Sequence, residues 1–212
     1  MRQTPKQPAF RDLLSVAEQS LFDRLNTPAK IQDYLNKLPI NFEPNGDTCR
    51  SPRRAIKEKS AHCIEGALIA ATALWYHGEQ PLLLDLKAAK HDYDHVVALF
   101  KRGGKWGAIS KTNHAVLRYR EPVYRSVREL ALSYFHEYFD DTGAKTLRSF
   151  SAPFSLKRFG TDWITADDDQ WDIGAALDDT PHRSIATAAE IRAFRKADPL
   201  EIEAGTITDY KR

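Results

Sequence analysis

Residues 61–78, AHCIEGALIAATALWYHG, constrain the fold of this chain more than any other stretch. Ile64, Ala67, Leu68, Ala71, Leu74 and Trp75 recur at helical spacing, and Gly78 followed by Pro81 is a stop signal. The segments that follow change period. PLLLDLK (81–87) and DHVVALF (94–100) read as strands, RGGK (101–104) as a Gly-rich hairpin turn, and WGAIS (106–110) as a third strand. The order is helix, strand, strand, hairpin, strand.

Two reactive side chains sit on these elements. Ser60 is the expected N-cap, which puts Cys63 at the third helical position. Anywhere in the first turn, unpaired backbone N–H groups and the helix dipole favour a thiolate over a thiol. Along 94–100, alternation places His95, Val97 and Leu99 on one face and Asp94, Val96, Ala98 and Phe100 on the other, so His95 can point at a helix packed on its face. Taken singly, Cys63 reads as a small core residue and His95 as a satisfied core histidine. Taken together, a helix-borne thiol and a strand-borne imidazole are the two parts a cysteine hydrolase or acyltransferase needs.

With these residues in this order, the chain resembles the transglutaminase-like superfamily, the papain-related group with a Cys at the start of a central helix and a His and an Asp on the following sheet. The matching residues are AHCIEGALIAATALWYHG around Cys63, DHVVALF around His95 and GGKWGAISKTN, across about residues 40–120. The resemblance implies an α+β fold of the papain/transglutaminase-like type, its central helix carrying Cys63 and packed on an antiparallel sheet with flanking helices. Laid against the family pattern, the position of the third catalytic residue, an Asp, holds Ser110, with Asn113 three residues on. A carboxylate there fixes the imidazole tautomer and stabilises its charged form, whereas a neutral group does the first and little of the second. Papain-like enzymes use Asn in that role. Ser110 ranks first, Asn113 second, and Asp85, on the preceding strand, third as a substitute carboxylate.

A tetrahedral intermediate needs two donors near its developing charge. The Cys63 backbone N–H is one. For the other, Trp106, His62 and the polar run CRSPRRAIKEKS (49–60) are candidates through proximity in sequence. Arg53, Arg54, Lys57 and Lys59 in that run could favour the thiolate or bind an acidic group, although the run reads as a solvated basic loop.

Composition narrows the function classes. With 31 basic and 29 acidic residues the formal charge is +2, which gives no field for nucleic acid, and no zinc-finger, helix-turn-helix or RNP signature is present. No stretch is long enough to cross a bilayer, and MRQTPKQPAFRDLL lacks the apolar core of a secretory signal, so the expected compartment is the cytoplasm. Cys49 and Cys63 are then expected to be free thiols. HDYDH (91–95) could hold a metal if helical, but it leads straight into VVALF and reads as the start of a strand, so no metal and no cofactor are expected. GxSxG, Walker and dinucleotide fingerprints are missing.

Elsewhere, 11–25 and 28–38 read as amphipathic helices, the second with Thr27 as cap and Pro28 at its first position. Residues 120–139 read as the strongest helix, with Val127, Leu130, Ala131, Tyr134, Phe135 and Tyr138 on one stripe. The turn-rich remainder closes with a short helix near 187–197. The expected organisation is a domain over 1–140, with its core at 40–120 and N-terminal helices at 11–38, and a C-terminal extension, 141–212, packed on it. The expected activity is thiol-dependent hydrolysis (peptidase or amidase) or acyl transfer at a peptide or protein amide, or a small amide or ester, through a thioester. The competing expectation is a degenerate binding or scaffold protein.

Overall fold

The structure, a computed structural model, describes residues 10–209; residues 1–9, on which the leaderless reading of the N-terminus rests in part, lie outside the described residues. The fold is α+β. The first helices are α1 (Val16–Arg24), α2 (Pro28–Lys37), α3 (Pro52–Glu58) and α4 (Cys63–Tyr76). Four strands follow, β1 (Leu82–Ala88), β2 (His95–Arg102), β3 (Lys105–Ser110) and β4 (Arg120–Tyr124), then α5 (Val127–Leu132), β5 (Leu147–Ser151) and β6 (Phe154–Ser155). The chain closes with α6 (Trp171–Asp178), β7 (His182–Ser184), α7 (Ala188–Ala193) and α8 (Pro199–Thr206).

One antiparallel sheet runs in the order β4-β3-β2-β1-β5-β7, with β6 also paired to β1. The β2–β3 hairpin turns on Gly103 and Gly104, both at positive φ (57° and 77°), the backbone a two-residue hairpin of this hand needs and side chains resist. Residues beyond 140 supply β5, β6 and β7 to this same sheet.

Both faces of the sheet are covered. Helix α4, apolar nearly all round and buried from Glu65 to Leu74, lies mainly on β2. Its core takes in Leu83, Val96, Ala98, Phe100 and Ile109 from the sheet, with Phe22, Ile31 and Leu35 from α1 and α2. Leu84, Leu86, Val97, Leu99 and Ala108 point the other way, into a second core with Leu130, Ala131, Tyr134 and Tyr138. The alternation along β2 is as expected, but the face that meets the cysteine helix is the one carrying Val96, Ala98 and Phe100. Alternation says which residues share a face and is silent on which helix covers it.

Three segments depart from the sequence expectation. Residues 11–25 form a 3-10 turn (Arg11–Leu13) and then α1, which the Ser15 hydroxyl starts only at 16 by accepting from the Glu18 N–H. Residues 120–139 form β4, α5 and a single 3-10 turn (Phe135–Glu137) in place of one helix. Pro122, Val123 and Tyr124 suit an edge strand, where a missing N–H is tolerated, and the Ser126 hydroxyl starts the helix only at 127 by accepting from the Glu129 N–H. The expected apolar stripe still faces the core, with Leu130, Ala131, Tyr134 and Tyr138 buried. Residues 49–60 are not a solvated loop. Ser51 caps α3, Pro52 opens it, and Arg50 is only 3% exposed.

Candidate active site

The first turn of α4 is held from below. The N-cap is His62 and not Ser60, so Cys63 is the first helical residue, where its own N–H has no partner within the helix. Glu65, fully buried, accepts the His62 N–H (3.1 Å), the Arg50 N–H (3.1 Å), the Thr48 hydroxyl (2.9 Å) and the Asn41 amide (3.2 Å). The Arg50 guanidinium clasps both its oxygens at 2.7 and 2.9 Å. This network meets the demand that a buried charge be paired and saturated with hydrogen bonds, and it holds Glu65 down at about 2: burial opposes ionisation, but the Arg50 contact, the charge of His62 and backbone donors outweigh it.

Two imidazoles reach the partly exposed thiol of Cys63. Burial alone would raise its pKa; hydrogen bonds from His62 and His95, and their charges, bring it down to about 5. For His62, burial would disfavour the cation, but the hydrogen bond to the thiolate and the charges of Cys63, Glu65 and Glu43 raise it to about 9. Nε2 of His62 lies 3.0 Å from the Thr48 carbonyl, which can only accept, so Nε2 carries a proton and Nδ1 is left to meet the sulfur. Cys63 and His62 thus form a thiolate–imidazolium pair at neutral pH.

His95 approaches from the other side. It is the first residue of β2, paired with Leu86, at the end of the sheet where the α4 start also lies. At a strand end the ring is not confined to one core, and it turns to the thiol although Val97 and Leu99 pack away from α4. Its Nε2 is 2.8 Å from Ser110 Oγ. The one hydroxyl proton of Ser110 goes to the Leu117 carbonyl (2.5 Å), so Ser110 accepts from His95 Nε2–H and leaves Nδ1 to face the sulfur. Leu117 stands at φ 58°, a left-handed conformation uncommon for a bulky residue, which aims that carbonyl. Ser110 is held in turn by Gln32, which donates to the Ser110 carbonyl (2.8 Å) and accepts its N–H (2.9 Å).

Of the sequence candidates, Cys63, His95, His62 and Ser110 come together. Asn113 lines the same cleft, where its backbone carbonyl accepts the Asp209 N–H (2.7 Å). Asp85 pairs with His182 (3.0 Å), not His95; burial pushes it up to about 6 in spite of that partner, and its Oδ1 has no hydrogen bond. Trp106, at the far end of β3, lies under the Lys101 ammonium and against the second core, away from the thiol. Arg53 and Arg54 are taken by Glu18 and by Glu58 and Asp169. The sequence reading gave no role to Gln32, Leu117 or Glu65; only Glu65, at the third helical position after a cap, carried a recognisable signal.

His91 and His95 of HDYDH do not converge, since His91 faces Asp140 (3.2 Å). Oxygens of Asp85, Asp94 and Asp178 lie within 4.8 Å of one another, but the Lys87 ammonium already sits 2.5 Å from Asp178.

The thiol opens into a cleft of about 720 Å³, with His62, His95, Thr112, His114 and Tyr138 among its walls. Such a volume suits a peptide segment or a small organic acyl group. No family model matches the sequence. No curated protein matches it either. Among solved structures, calcium-bound LapG of Legionella pneumophila is similar at 20% identity and TM-score 0.37, over 45% of this chain and 61% of that one. The EGTA-treated form is similar at 16% identity and TM-score 0.42, over 70% and 84%. This chain therefore spans less than two thirds of the first of these, and likeness of this degree carries no argument about activity. Among the described residues no helix is long and apolar enough to cross a membrane.

Proposed function

We propose that this protein is a thiol-dependent hydrolase or acyltransferase of the transglutaminase-like type, with Cys63 as nucleophile, His95 as acid and base, and Ser110 as the group that orients His95. The supporting observation is the convergence on one sulfur of a helix N-terminus and two imidazoles, one of them oriented by Ser110. The thiolate adds to an amide or ester carbonyl, and the oxyanion is met by the Cys63 N–H. His95 takes the thiol proton on Nδ1 as the thiolate forms, and the C–N or C–O bond breaks as the leaving group takes that Nδ1 proton back, giving a thioester. Water or an amine, deprotonated by His95, then attacks the thioester and frees the thiolate. Peptide or protein amides, or small amides and esters, are the substrate class, and the free state of both Cys49 and Cys63 suits a reducing compartment such as the cytoplasm.

The test is a panel of peptide amides and aryl esters with hydroxylamine present to trap the thioester as a hydroxamate. Turnover lost in Cys63→Ala and His95→Ala, with hydroxamate formed only by the parent, is expected; turnover that survives Cys63→Ala sinks the proposal. The neutral Ser110, in place of a carboxylate, favours the second reading, a binding protein of the same fold without turnover, and an inert but ligand-binding parent would select it.

A further inference from the structure

The Cys63 cleft has a sign. Glu43, Asp92, Asp94, Glu137, Asp140 and Asp141 all contribute to its walls, and its lining holds one lysine. That lysine, Lys111, is buried, with its ammonium on the Leu38 carbonyl (2.5 Å). Among the carboxylates, Glu137 is compensated by Arg120 (2.7 Å) and Glu43 lies 3.5 Å from His62. The 92–94 and 140–141 side is not neutralised to that extent. Asp92 and Asp140 are fixed by hydroxyl and backbone donors, joined on Asp140 by the His91 imidazole, the one partner of the two that can carry charge. Asp94 accepts the Ala88 N–H (2.7 Å) and is 4.0 Å from a Lys87 that is engaged with Asp178. Asp141 is exposed and makes no hydrogen bond or ion pair among the described residues. Exposed aromatic side chains also line the cleft: Tyr93 is 90% and Phe42 63% exposed.

We infer that the cleft selects substrates with a positive charge beside the attacked carbonyl, a peptide segment bearing lysine or arginine. Unneutralised carboxylates along one wall of a cleft raise the local concentration of cations, and exposed aromatic faces add cation–π contacts to ammonium and guanidinium groups. The inference rests on the reading of Cys63 as the reactive centre, but its electrostatic part can be measured without turnover.

The probe is a pair of methanethiosulfonates, trimethylammonioethyl and sulfonatoethyl, in a Cys49→Ala background. The Cys63 thiolate attacks the sulfenyl sulfur, a mixed disulfide forms and methanesulfinate leaves. Rates are divided by those of 2-mercaptoethanol. The cationic reagent is expected to react about tenfold faster at low salt, with the ratio falling several-fold in Asp94→Asn/Asp141→Asn and in about 1 M salt. A ratio at or below one, or a ratio that the double variant leaves unchanged, overturns the inference. Neutral iodoacetamide run in parallel separates the two ideas. An ordinary thiol pKa with the charge ratio intact removes the catalytic reading and leaves the cationic preference; a low pKa with no ratio does the reverse. Matched Lys and Glu peptides then read selectivity directly, and a preference for Glu also overturns it.

Discussion

Ser110 Oγ lies 2.8 Å from Nε2 of His95 and gives its own proton to the Leu117 carbonyl. The relation puts a proton on Nε2 and turns Nδ1 to the sulfur, without placing a negative charge behind the ring. Removing the acceptor in Ser110→Ala should free the ring, costing about 1 kcal/mol, or about five-fold in kcat/KM, against the far larger losses seen when a carboxylate is taken from a triad. A pH–rate profile with an unchanged acid limb would accompany it. A loss of a thousandfold or more would show that Ser110 does more than orient.

Cys63 should alkylate as a thiolate. With its pKa at about 5, the iodoacetamide rate in Cys49→Ala should be half-maximal near pH 5 and flat through neutrality. Because His62 supplies a cation at the sulfur, His62→Gln should move that midpoint upward, and His95→Ala should do so as well. A midpoint at the ordinary thiol value in the parent would contradict the assigned pair.

Glu65 should govern acid stability. Its carboxyl is held at about 2 against an ordinary 4.5, so its contribution is fully present above about pH 4.5 and fades as the pH falls toward 2. That difference corresponds to about 3 kcal/mol. Glu65→Gln leaves Arg50 buried and short of a partner, and should lower stability by about 3–5 kcal/mol in urea at pH 7, with the deficit shrinking as the parent is acidified. A deficit independent of pH would argue against the assigned ionisation.

Gly66 is required by contact. A Cβ there would lie 2.3 Å from Cβ of Lys111, so Gly66→Ala should push the 111–113 segment off α4 and cost about 1–3 kcal/mol. Thermal denaturation reads the cost, and labelling of Cys63 by iodoacetamide reads whether the cleft shifts with it.

Much of the fold was legible because it is written locally. The apolar run from Ile64 to Trp75, the cap at Thr27 with Pro28, and the Gly103–Gly104 turn each specify their element over a few residues. The candidate site was legible in part, in that Cys63, His95 and Ser110 lie together. What stayed hidden is set by tertiary placement. Gln32 meets Ser110 across 78 positions of sequence, and nothing in its own helix marks it. Arg50 reads as one more charge in a basic run until Glu65 is seen beside it. At 120–139 the spacing of Val127, Leu130 and Tyr134 fits a helix, while the strand preference of Val123 and Tyr124 just before it is decided by pairing with β3.

Thr206 and Thr208 line the cleft, and the segment after α8 bonds across to the 113–115 loop through Ala115 to Ile207 and Asp209 to Asn113. In order of synthesis, Cys63 emerges from the ribosome about 145 residues ahead of this wall, on the order of ten seconds or more at ordinary elongation rates. A nascent chain therefore carries this sulfur well before the cleft around it is finished.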